Sequence, residues 1–140
     1  MTLPGALLEL LKRSAALAAI VGDRFVPVVA PQDMKRPLVV MTGTLVEFLP
    51  TLSGRTGVKQ RYQFDVIADP QDHARAYSAR WRIFEVLQGT KQQVGGLEIH
   101  SISAEGSPDL PEEPVRLSDD VTVIRLPIQF LIHYNLATED

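Results

Sequence analysis

Apolar residues fall at two different spacings along this chain, and the change from one to the other lays out its elements. Leu3, Leu7, Leu10, Leu11, Leu17, Ala18 and Val21 recur at steps of three and four, which predicts one helix from Leu3 to Val21. Thr2 caps its start, Pro4 fits the first turn, and Gly22 suits the left-handed position past the end. Asp23 to Arg36 contains Pro27 and Pro31, so a short edge strand and an extended connection are expected there. Leu38 to Phe48 reads as the first long strand, apolar on both faces: Leu38, Val40 and Val46 on one, Val39, Met41 and Leu45 on the other. Gly43 within it marks a bulge or a close backbone approach. Leu49 to Gly57 reads as a long hairpin loop with Arg55 near its tip.

The cleanest period of two runs from Val58 to Ala68. Val58, Tyr62, Phe64, Val66 and Ala68 face one way, and Lys59, Arg61, Gln63 and Asp65 the other, as in a half-buried antiparallel strand. Asp69-Pro70-Gln71-Asp72 then starts a helix, with Asp69 as cap; Tyr77, Trp81, Phe84 and Leu87 form its apolar stripe and Gly89 ends it. Gly95-Gly96 opens a strand from Leu97 to Glu105, and a proline-rich acidic connection fills Gly106 to Asp120. In the last strand, Val121 to Tyr134, Ile124, Leu126, Ile128, Phe130, Ile132 and Tyr134 alternate with polar residues. Pro127 removes a ladder donor and predicts an edge or a bulge there. Residues 135–140 read as a frayed tail. The expected architecture is a single α+β domain over residues 1–140, in the order α-β-β-α-β-β with an extra short strand after the first helix. About four main strands form an antiparallel sheet, and two helices pack on one face.

Composition narrows what this fold can do. At 140 residues and 45% hydrophobic, the chain buries a core without staples, and it has no cysteine for a disulfide or a thiolate zinc site. A net charge of −3 argues against a general polyanion binder. The aromatics Tyr62 and Phe64 point away from the basic face of Lys59 and Arg61, which counts against a base-stacking platform. No membrane span is expected, because Glu9, Lys12 and Arg13 interrupt the most apolar N-terminal stretch. His73, His100 and His133 are too scattered for a metal site, and neither a nucleophile elbow nor a phosphate loop is present. Neither a catalytic residue nor a cofactor is expected.

What remains is surface for association. The first strand needs cover on its second face, either from a copy or partner or from a further strand or the tail within the monomer. Val39, Met41 and Leu45 on that strand and Val123 and Leu131 on the last are the candidate apolar contacts. Arg55, Lys59 and Arg61, and Glu112 and Glu113 in the acidic connection, are the candidate charged ones, with simple solvation as the alternative.

A series of short motifs adds a family. The first helix ends in Ala18-Ala19-Ile20-Val21-Gly22-Asp23-Arg24, followed by Pro27 and Ala30-Pro31-Gln32. Pro37-Leu38-Val39-Val40 opens the first strand, Gly57 precedes Arg61-Tyr62-Gln63-Phe64-Asp65-Val66-Ile67-Ala68, and Leu126 to Tyr134 closes the series. In this order the motifs resemble the phage tail completion family, the head-to-tail joining proteins of siphophages, over nearly the whole chain. The resemblance implies a virion protein assembled in the host cytoplasm. It implies a homo-oligomeric ring, a hexamer, at the head-proximal end of the tail. Such a ring ends tail-tube polymerisation and meets the head connector. Its partners are itself, the tube protein and a connector or neck protein, with neither membrane nor specific nucleic acid. Another neck or minor tail connector is the nearest alternative, and a small ligand-binding domain or enzyme is a more distant one.

Overall fold

The computed structural model describes residues 2–27, 35–50, 56–118 and 120–135. Arg55, most of the connection after Pro27 and the tail beyond Asn135 lie outside these residues. The first helix is two. Helix α1 spans Leu3–Lys12, with Thr2 Oγ1 accepting from Gly5 N at 3.3 Å. Helix α2 spans Ala15–Val21. The break falls at Ser14, whose backbone is extended and whose Oγ accepts from Leu17 N at 3.2 Å, so it caps a second start. Restarting there keeps Leu3, Leu7, Leu10, Leu11, Leu17 and Val21 all buried.

Strand β1, Phe25–Pro27, pairs in parallel with the start of β2, Leu38–Pro50. Strand β2 turns back into β3, Thr56–Ala68, as an antiparallel hairpin with an irregularity between Leu45 and Glu47. A 3-10 turn at Pro70–Asp72 leads into α3, His73–Leu87. Asp69 makes no side-chain cap bond; its Oδ1 instead accepts from Arg36 Nε at 2.8 Å. Strands β4, Gln92–Val94, and β5, Leu97–Glu105, follow, then β6, Glu113–Arg116, and β7, Thr122–Asn135.

The α+β class and the helix-covered sheet match the sequence reading, but the sheet is larger than four main strands. Among the described residues it has seven, in the order β1-β2-β3-β7-β5-β4, with β6 beside β7. Only the β1–β2 pairing is parallel. Gly95-Gly96, read as a strand opening, is the tip of a tight β4–β5 hairpin with Val94 opposite Leu97 and Gly95 at φ 60. Strand β6 lies in the acidic connection, where no periodicity marks it; β7 runs past β5 and supplies the edge it pairs with.

Strand β7 lies inside the sheet rather than at an edge. Strand β5 pairs with it as far as Gln129 and β6 takes over at Arg125, so Pro127 falls in the gap between them on that side. The missing N–H therefore costs no ladder bond there.

The inner face of the sheet and the helices share one core, including Val39, Met41, Tyr62, Phe64, Phe130 and Ile132. Phe64 and Phe130 meet edge to face, with ring centroids 5.8 Å apart. On α3 the buried face carries Ala76, Ala79, Arg80, Ile83 and Leu87, so the expected aromatic stripe is offset from it. Leu38, Val40 and Val123 on the other side of the sheet are also buried within the protomer. The second face of β2 is thus covered near its start without a partner.

Gly43 lies opposite Tyr62, and a Cβ there would sit 2.7 Å from two of the Tyr62 ring carbons. The close approach is real, and the ladder irregularity falls two residues later. Gly43→Val therefore has to displace a nearly buried ring. A loss of about 1–3 kcal/mol is expected, read as a lowered denaturant midpoint, with exposed Thr44→Val as an unchanged control.

Candidate assembly surfaces

The nominated apolar contacts separate sharply once folded. Val39 and Met41 point into the core and Val123 is fully buried, so in this conformation all three hold the protomer together. Leu131 is half-buried on the polar side of the sheet, opposite Arg61 on β3 and Ser103 on β5. Leu45 is 50% exposed, with Val46 at 41% and Phe48 at 58%. Leu45 pairs with Gln60 and Phe48 with Val58, so both project from the helix-bearing side of β2, beyond the helices' cover. Next to them a hollow of about 330 Å³ is lined by Pro4, Leu8, Phe25, Met41, Gly43 and Tyr62. Val46 and Phe48 escaped the sequence reading because strict alternation assigns them to a strand face without saying that the layer above stops short.

Charged residues organise the opposite side of the sheet. Arg61 Nε and Nη2 donate to the two Glu105 carboxylate oxygens at 2.6 and 3.1 Å, across β7. This pair holds the Glu105 carboxyl below its usual range. Lys59 Nζ lies 3.5 Å from Glu47, and Arg125 donates to Glu113. Lys59, Arg61 and Glu113 therefore carry their own partners, at exposures where each pair adds little to stability. Glu112 is exposed on the same connection.

One residue in this region gave no sequence signal. Arg80 is 0% exposed in the core-facing row of α3. Its Nη2 donates to Leu110 O at 2.6 Å and its Nη1 to Pro127 O at 3.3 Å, and its guanidinium carbon lies 5.0 Å from the centre of the Tyr77 ring. A residue's N–H and C=O point to the same side of a strand, so Arg80 fills the β5–β6 gap that Pro127 leaves. It also ties down the acidic connection. Burial lowers its pKa, while Tyr77, Asp109 and Glu112 oppose that shift.

His100 and His133 lie side by side on β5 and β7, with ring centroids 5.2 Å apart. Burial lowers the His133 pKa below its ordinary 6.5, and His100 and Lys59 add to the effect. The unfolded chain therefore binds this proton first as pH falls. Stability should drop as pH passes down through about 6.5 and level off below the folded pKa. His133→Gln should flatten that slope in denaturant titrations across pH 8 to 5; an unchanged slope would rule this group out as its source. Among the described residues, no group of three or more histidines or acids could hold a metal ion, and no helix is long and apolar enough to cross a membrane.

The fold matches a chain from a solved particle described as the virion of native gene transfer agent, with a TM-score of 0.72 and 18% identity. The match covers 96% of this chain and 95% of that one. The likeness is one of fold alone, and it defines the class as an α+β domain with helices over a mostly antiparallel sheet. The family model described as tail completion protein gp17 matches residues 5–125, and the chain belongs to that family. A comparison with curated proteins finds no match. Family membership makes it a structural protein of a phage-type tail.

Proposed function

We propose that copies of this protein form a closed ring, a hexamer, at the head-proximal end of the tail. The ring ends tube polymerisation and forms the joint to the head connector. The observation that carries this reading is the exposed apolar run Leu45, Val46 and Phe48. Apolar side chains grouped beyond the helical cover mark an association site. The charged side of the sheet, with Lys59, Arg61 and Leu131, and the connection holding Glu112 and Glu113 then face the tube or the connector; Arg55, outside the described residues, remains a candidate contact from the sequence. The chain assembles in the host cytoplasm and acts in the virion. The competing assignment, another neck or minor tail component, uses the same surfaces at a different place in the particle.

The test mixes purified protein with tail tubes and follows it by electron microscopy and native mass spectrometry. Six-membered rings at one end of each tube, and no further elongation, are the expected result. Protein that stays monomeric beside uncapped tubes overturns the proposal.

A further inference from the structure

Apart from Leu110 and Leu117 in the acidic connection, the exposed large apolar side chains of the described residues fall in two groups at opposite ends of the sheet. The first is Leu45 and Phe48 on β2, with Val46 exposed between them at the ladder irregularity. The second is Trp81, 42% exposed, with its ring centroid 5.4 Å from that of half-buried Phe84 on α3. Contacts fix which flank of α3 this is. Arg75 on the other flank donates to Ile20 O of α2. On the Trp81 flank, Gln88 Oε1 accepts from Ala104 N of β5. Trp81 therefore lies toward the β5 end of the sheet, and Leu45 toward the β1–β2 end.

The strand edges distinguish the same two ends. Proline is the last residue of β1, at Pro27, and lies within β6, at Pro114, which blunts both as pairing edges. Gln88 and Gly89 occupy the β5 edge at Ala104 and Ile102. Strand β2 beyond Met41 has no strand partner on its β1 side among the described residues, and no proline before Pro50.

We infer that the ring closes head to tail, with Leu45, Val46 and Phe48 of one copy packing on Trp81 and Phe84 of the next. This rests on the ring reading above. Two different patches on one chain make a heterologous contact, the kind that propagates around a ring. Each copy then keeps its helices on the same side, and the charged side of every sheet faces the same way. Trp81 is the expected anchor, since a large aromatic at the centre of a contact carries much of its energy.

The chain has no cysteine, so engineered cysteines report contacts without background. Full-length Val46→Cys and Glu85→Cys proteins are prepared separately, Glu85 lying one turn beyond Trp81. They are mixed with tubes and treated with a short bismaleimide. Covalent dimers should form in the mixture and not in either protein alone, and the double variant should give a ladder of higher multimers. Trp81→Asp and Leu45→Asp alter exposed positions; each should keep the wild-type circular dichroism and melting temperature while self-association weakens at least tenfold. Cross-linking of Val46→Cys only to itself overturns the inference, as does wild-type assembly by folded Trp81→Asp. If unmodified protein rings and caps tubes while the mixture gives no dimer, this interface fails and the ring reading stands. If unmodified protein neither rings nor caps, both fail.

Discussion

Arg80→Ala should destabilise the fold by about 3–5 kcal/mol, from the cavity left by a large buried side chain and the loss of two charge-assisted hydrogen bonds. The substitution takes away both donors that satisfy Leu110 O and Pro127 O. Both are part-buried bonds from a charged donor, and such bonds contribute about 1.5–3 kcal/mol each. The vacated side-chain volume lies between α3 and β7, where packing cannot close without moving the sheet. Arg80→Met separates the two contributions: it restores much of the volume and none of the hydrogen bonds, so it should recover only part of the loss. Arg80→Lys keeps the charge but not the fork that reaches two acceptors at once. Urea denaturation of the three variants supplies the comparison, and a loss under 1 kcal/mol for Arg80→Ala would show that Arg80 does not close the gap. The Arg80→Ala change should also raise protease cleavage within residues 106–112, because Leu110 loses its tie to the helix.

Phe64→Ala should cost a similar amount, about 3–5 kcal/mol, for a different reason. Phe64 is fully buried at the middle of β3, opposite Met41 on one side and Ile128 on the other, with its ring edge-on to Phe130. Truncation opens a cavity beneath the helices and removes an aromatic contact worth about 0.5–1.5 kcal/mol beyond its buried area. Phe64→Leu fills most of the space and should lose roughly half as much. Comparable denaturation midpoints for Phe64→Ala and the wild type would contradict this account of the core.

The parts of the fold legible in the sequence are those whose burial repeats with a clear period. Strands β3 and β7 each have one dry face and one wetter face, so Tyr62, Phe64, Phe130 and Ile132 announced themselves. The break at Ser14 did not, since Lys12, Arg13 and Ser14 read equally well as the wet side of one helix and only a cap bond separates the two. The face of α3 was misplaced because a core-facing arginine breaks the apolar pattern while Trp81 completes it. Arg80 belongs inside only because a strand gap and the connection beside it each supply a carbonyl, and no local pattern encodes that arrangement. Strand β6 is invisible for the same reason: its pairing depends on an edge offered by a strand that comes later in the chain. The candidate contact residues split likewise. Alternation placed Val39, Met41 and Leu45 on one face, but only the extent of the helical layer tells which are covered.

The place of β7 also sets an order of events during synthesis. The strand made last among the described elements lies between β3 and β5, both completed earlier. Until Thr122 to Asn135 leaves the ribosome, β3 pairs only with β2, and β5 only with three residues of β4. The nascent chain thus holds two half-built sheets with open inner edges, and contacts across a wide sequence separation must form to join them. The hairpin bearing Leu45, Val46 and Phe48 is among the first segments to emerge, yet its rigid support arrives with the final strand. In the ring proposed above, subunits whose β7 is not yet in place present that hairpin without the frame needed to meet another copy, so association waits on completion of the sheet.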